Sequence, residues 1–279
     1  MTLAQKKRLL DDLYVSYNRP EFIHPDPLEF LHHYPHALDR EIVGIIASSL
    51  AYGRVAQILK SIRCILEIMA PSPRVFLEGA SKAQLENGLS CFKHRFTTGE
   101  EIIDFLLAIK SVIETHGSLE RSFLNFYKPR DRDITRSLEG FVNGIRQYLS
   151  QKESSLLPCP EKHSACKRLH LFLRWMVRKD DVDPGGWDYI APSKLIVPLD
   201  VHMHRIGLAL ELTNRRQADL KTACEITESF RGIMPDDPVR YDFSLTRIGI
   251  RNDIDMNVIM NYKEAIKNEY NPTRGVCYG

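Results

Sequence analysis

The sequence predicts an all-α fold, and three observations carry that expectation. Apolar residues recur at helical spacing from one end to the other, cap and stop residues punctuate these runs, and no stretch alternates apolar and polar residues for long enough to build a sheet. Residues 39–50 open on Asp39 in cap position and carry Ile42, Ile45, Ile46 and Ser49 on one stripe. After Tyr52-Gly53 the pattern resumes through Val55, Ile58, Leu59, Ile62, Ile65, Leu66 and Met69, until Pro71 and Pro73 stop it. Thr98, with Glu100 and Glu101 behind it, caps a helix whose apolar face is Ile102, Phe105, Leu106, Ile109, Val112 and Ile113. Ser118 caps a short helix running to 127, and residues 134–149 supply another. Residues 151–160, with two serines and two prolines, read as a loop or lobe crossing. Helical spacing returns over 164–178, and 179–199 is irregular, with Pro184, Gly185, Gly186, Pro192 and Pro198. Helices follow over 201–212, 218–231, 238–248 and 257–268, roughly a dozen in all.

Composition narrows the classes. At 279 residues with 43% hydrophobic and 27% charged side chains, the chain is neither disordered, collagen-like nor a coiled-coil rod. No apolar run is long enough for a bilayer, and the N-terminal MTLAQKKRLLDDL lacks the apolar centre of a leader peptide, so a cytoplasmic protein with no membrane partner is expected. The six cysteines form no C-x-x-C pair, which argues against a zinc ribbon or an iron–sulfur cluster and for ordinary buried thiols. Lys and Arg exceed Asp and Glu by only two, 38 against 36. Locally the balance is different: over 160–179, Lys162, Lys167, Arg168, Arg174, Arg178 and Lys179 face a single acid, Glu161, six minus one or +5.

Two residues stand out chemically. Lys167 opens the 164–178 helix, where unpaired backbone N–H groups already make a positive pole, and Arg168 lies beside it. A lysine so crowded should have a lowered pKa and a free amine able to act as a nucleophile; the plainer reading is a lysine that binds phosphate at a helix start. Asp200, after Pro198-Leu199, stands where a helix cap would, and a capping carboxylate stays ionised. His202 and His204 form an H-x-H pair, but on a helix their side chains diverge by about 200°, which argues against a shared metal. His24, His32, His33 and His36 are separated by prolines and read as surface residues. Trp187, in a Gly-rich stretch, and Trp175, beside the basic stripe, are the aromatic residues that could stack on an extruded base; core packing is the competing reading for both.

A lysine early in one helix, a loop, and then Val197-Pro-Leu-Asp-Val-His-Met-His-Arg205 opening the next resembles the helix-hairpin-helix DNA glycosylase superfamily. The pattern is most similar to the archaeal 8-oxoguanine glycosylases, with 33 residues between Lys167 and Asp200. Arg174-Trp-Met-Val-Arg178 and Asp237-Pro-Val-Arg-Tyr-Asp-Phe243 also resemble a bacterial family of unassigned function. The superfamily's Leu-Pro-Gly-Val-Gly hairpin is replaced by Cys159-Pro-Glu-Lys-His-Ser-Ala-Cys166, and the C-terminal iron–sulfur cysteines of endonuclease III are missing.

The resemblance implies a two-lobed helical unit over 1–279, with a central lobe at 38–178 and a second at 179–279 completed by 1–37, and a cleft between them. It implies a base-excision repair enzyme associated with the nucleoid, which removes a damaged base, such as an oxidised purine, and nicks the abasic site. Lys167 and Asp200 would be catalytic, and Lys162, Arg168, Arg174, Arg178 and Arg205 would contact DNA. No metal, cofactor or iron–sulfur cluster is called for. Lys167 and Asp200 should approach within about 8 Å, since both must reach one sugar carbon. Two rivals stand beside this reading: a non-catalytic nucleic-acid-binding or damage-sensing module, and a metal-dependent hydrolase using Asp200, His202 and His204.

Overall fold

The computed structural model of the protein describes residues 1–151, 154–162 and 164–250. It is an all-α fold. In chain order the helices are α1 (Leu3–Tyr17), α2 (Ala37–Ser49), α3 (Val55–Ile68), α4 (Pro73–Gly79), α5 (Lys82–Leu89), α6 (Gly99–His116), α7 (Leu119–Leu124), α8 (Thr135–Arg146), α9 (Lys167–Val177), α10 (Val201–Ala209), α11 (Leu220–Arg231) and α12 (Asp242–Ile250). One antiparallel hairpin, β1 (Lys93–His94) with β2 (Thr97–Thr98), is the only sheet among the described residues.

The core is built around α2, buried along its whole length from Ile42 to Ser49. It packs on α9, on α3, α4 and α7, and on the 3-10 turn Pro27–His33. Gly44 permits the α2–α9 approach, because a Cβ there would meet the Phe172 ring at 3.2 Å. The irregular stretch after α9 returns to the same core. It delivers Trp187 into a cluster with Phe123, Phe141 and Phe172, at ring-centroid distances of 5.1 to 6.3 Å. Edge-on and tilted packing of this kind suits the ring quadrupoles. Beside this core α1 packs on α12, and α12 on α10.

Local capping explains most boundaries. Thr98 and Ser118 cap α6 and α7 as their sequence positions suggest, Thr98 through a reciprocal capping box with Glu101. Asp39 is not a cap. It lies inside the first turn of α2, buried, and accepts from Ser72 Oγ (2.6 Å) and the Arg74 amide (2.8 Å), so that it ties α2 to the start of α4. The expectation of generally buried thiols also needs correcting: Cys166 is buried, Cys159 and Cys224 are partly exposed, and Cys64 and Cys91 are exposed. Cys277 and the helix expected over 257–268 lie outside the described residues. None of the described helices is long and apolar enough to cross a membrane.

Candidate functional site

Two helix starts meet at the candidate site. Cys166 adopts the left-handed region (φ 43°), uncommon for a residue with a side chain, and turns the chain sharply so that Lys167 is the first residue of α9. Asp200 caps α10 with one oxygen: Oδ1 accepts from the amides of His202 (2.9 Å) and Met203 (2.8 Å). The other oxygen, Oδ2, lies 2.8 Å from Lys167 Nζ. The separation is well inside the 8 Å that a shared sugar carbon would require.

Burial pushes the Asp200 carboxyl up, but the Lys167 charge and hydrogen bond, with the Met203 amide, outweigh it and hold the group below its ordinary value. Asp200 is therefore an anion at neutral pH. Cys166, next to the lysine, is no competing nucleophile, because burial pushes its thiol up to about 11.

The pair lies on the wall of a cavity of about 500 Å³. Tyr52, Leu171 and Trp175 supply apolar surface to its lining, and His202 and Asp242 supply polar groups. Asp242 is buried, which pushes its carboxyl up to about 6 even though Arg174 donates to it. Tyr52, Asp242 and the start of α3 were not marked by the sequence pattern. The local signals were Tyr52-Gly53 directly after α2, an aromatic residue beside a glycine at φ +102°, and the motif Asp237–Phe243, which contains Asp242 without assigning it a role.

Of the remaining expected site residues, Arg174 and Trp175 line the cavity as buried groups, and Arg168, Arg178, Trp187 and Arg205 are not in its lining. Arg174 and Arg178, expected to hold phosphates, are buried (3% exposed each). Arg174 pairs with Asp183 and Asp242, and Arg178 with Asp180, Asp183 and Asp237. The opposing stripe of α9 is thus an internal ion-pair network, because the loop after the helix folds its carboxylates back over it. Arg168 also turns inward. It donates to the carbonyls of Ser49 and Ser155 and lies over the Tyr52 ring at 5.0 Å, so it braces α9 and is committed to neutral partners away from solvent phosphate. Trp175 and Trp187, 1% exposed each, are core residues; the Trp187 indole donates to Glu41 Oε2 (3.1 Å).

Arg205 is exposed on α10, with no ion pair among the described residues. Lys162 ends the 3-10 turn Pro160–Lys162, and its side chain lies outside the described residues. His202 lines the cavity, while His204 turns to the Arg215 carbonyl (2.8 Å). The two rings therefore have different surroundings, and no group of three potential metal ligands lies together among the described residues.

No curated protein and no solved structure matches the chain. A family model does, across residues 26–251, a span that contains the Lys167–Asp200 pair, the buried arginine network and all of the cavity lining but Pro25. The chain belongs to that family, DUF2400, a family of proteins of unknown function.

Proposed function

We propose that the protein is a DNA glycosylase with abasic-site lyase activity, in which Lys167 is the nucleophile and Asp200 the anion that serves it. The observation that supports this reading is the 2.8 Å contact between an amine and an ionised carboxylate at two facing helix starts on one cavity wall. A damaged nucleotide, such as one carrying an oxidised purine, would be turned out of the duplex into that cavity. Asp200 stabilises the positive charge that builds at the sugar C1′ as the bond to the base stretches. Lys167 must first shed a proton to solvent, since Asp200, held below its ordinary value, is a weak base and stays the anion, and water supplies the proton that the departing base takes up.

The amine nitrogen then forms its bond to C1′ as the glycosidic bond breaks. Opening of the sugar ring gives a Schiff base, and loss of a C2′ proton expels the 3′ phosphate, which nicks the strand. Water hydrolyses the imine and returns the lysine. The pair needs no rearrangement to begin, because the anion already faces the amine.

The test is borohydride trapping on abasic-site duplex, with nicking of 8-oxoguanine duplex alongside. Wild-type protein forms a covalent adduct. Lys167→Ala forms none and does not nick, and Asp200→Asn keeps the cap of α10 but slows base release by orders of magnitude. Trapping by Lys167→Ala at the wild-type rate would sink the proposal. A non-catalytic nucleic-acid-binding or damage-sensing module is the second reading. One observation favours it: the Lys167 charge is already matched by a carboxylate that also has a structural duty as a cap. On that reading the wild type binds DNA and is never trapped.

A further inference from the structure

Phe96 is one of the large apolar side chains that the fold leaves out, 62% exposed at the tip of the β1–β2 hairpin. The turn that presents it is strained, since Arg95 before it has φ +53°, a left-handed conformation that costs on the order of 1 kcal/mol or more for a residue with a side chain. The tip is nevertheless firmly held. His94 and Thr97, on either side of the turn, are fully buried. The His94 ring bonds to Ser61 Oγ (2.9 Å) and to the Tyr52 carbonyl (3.0 Å), and the Tyr52 hydroxyl meets Thr97 Oγ1 at 2.6 Å. Gly53 is needed for this arrangement, because a Cβ there would fall 2.9 Å from the Arg95 side chain. An exposed aromatic residue has been placed with some care.

One face of the Phe96 ring stacks on Tyr52, at 5.0 Å and 19°, and Arg168 lies over the same Tyr52 ring. Tyr52 lines the Lys167–Asp200 cavity, so Phe96 stands one ring away from the cavity wall. Arg54, Lys93 and Arg95 are exposed on the two segments that frame it, and neither 51–63 nor 90–98 contains a carboxylate. Phe96 is flanked by charge and by threonine, which makes a poor apolar patch for a protein partner but a good match for a flat π-face attached to phosphates.

We propose that Phe96 stacks on a nucleobase at the mouth of the cavity, beside the nucleotide drawn inside, and so fills the gap that nucleotide leaves in the duplex. The assignment rests on the glycosylase reading for what enters the cavity. It adds a positioning residue that touches the neighbouring base, and Phe96 takes no part in bond making.

The experiment compares two duplexes of one sequence, one intact and one carrying a tetrahydrofuran abasic analogue flanked by 2-aminopurine. Wild type, Phe96→Ala and Phe96→Trp are measured for affinity and for 2-aminopurine emission, with melting temperature as the check on folding. Wild type prefers the abasic duplex and quenches the probe. Phe96→Ala lowers that preference about tenfold and leaves the probe bright, and Phe96→Trp restores both. A preference and a quench indifferent to residue 96 would overturn the inference, as would a wild type that does not distinguish the duplexes. Borohydride trapping separates the two claims. Trapping with no dependence on residue 96 defeats the stacking role alone, and a Phe96-dependent preference without trapping defeats the lyase reading alone.

Discussion

Asp200 divides its duties between its two oxygens, one holding the first turn of α10 and the other the Lys167 ammonium. Because its folded-state value lies below the ordinary 3.8, its stabilising contribution is present above that value and fades as pH falls through the lower, folded one. Lys167→Ala takes away the largest of the lowering influences but leaves the cap. The Asp200 carboxyl should therefore titrate at a higher pH in the variant, as read by its carboxyl carbon shift in NMR, and an unmoved midpoint would mean that the ion pair is not formed in solution. Both members of the pair were legible in the sequence because a helix start is a local signal: a break, a polar residue, then periodic apolar positions. Tyr52 and Asp242 were not legible, since each reaches the cavity only through contacts between segments more than a hundred, or more than forty, positions from Lys167 or Asp200.

On α9 the spacing was read correctly and the surroundings were not. Lys167, Arg174 and Arg178 do recur at helical intervals opposite the apolar face, yet the two arginines face inward. The sign of the local charge was misleading because the window stopped at residue 179. Asp180 and Asp183 lie just beyond it, in the loop that folds back, and Asp237 and Asp242 come from much farther along the chain. A buried charge that loses its partner is costly, so Arg178→Ala should lower the unfolding free energy by about 3–5 kcal/mol, measured with a chemical denaturant. A variant within 0.5 kcal/mol of wild type would show that the arginine is solvated after all. The helices missed entirely, α1, α4 and α5, are short or only weakly amphipathic. The periodicity that exposed α3 and α6 had little to act on there, although the Thr2–Gln5 and Ser81–Gln84 capping boxes were present in the sequence.

Across the whole molecule, Glu41 is the point where three distant segments are tied. From α2 it accepts the Leu119 and Glu120 amides at the start of α7 and the indole of Trp187. Burial pushes it up to about 7, against the amide and indole hydrogen bonds that favour its charge. Between the ordinary glutamate value of 4.5 and about 7 the folded protein binds more protons here than the unfolded chain, so stability falls as pH rises through that window. Asp242, raised by burial to about 6, acts in the same direction. Buried His170, lowered by burial to about 4 from its ordinary 6.5, acts in the opposite direction, so the test is a difference: the urea midpoint of wild type relative to Glu41→Gln should decline from pH 5 to pH 8. A difference that rises over the range would contradict the assignment. Residues of this kind explain why the helical class could be read from the sequence while the arrangement could not: periodicity tells a helix which face to bury, but not against which partner.

The cluster around Trp187 has a practical side. The chain holds two tryptophans, and both are almost fully buried, Trp175 on α9 and Trp187 among three phenylalanine rings. Its indole emission is therefore blue-shifted and poorly accessible to dissolved quenchers, and a red shift reports loss of the core. The hairpin tip, exposed and rigid, is in consequence a dark position on an optically quiet background. A single indole placed there would be the one solvent-facing indole among the described residues, and its red-shifted emission a signal for encounters at the hairpin tip.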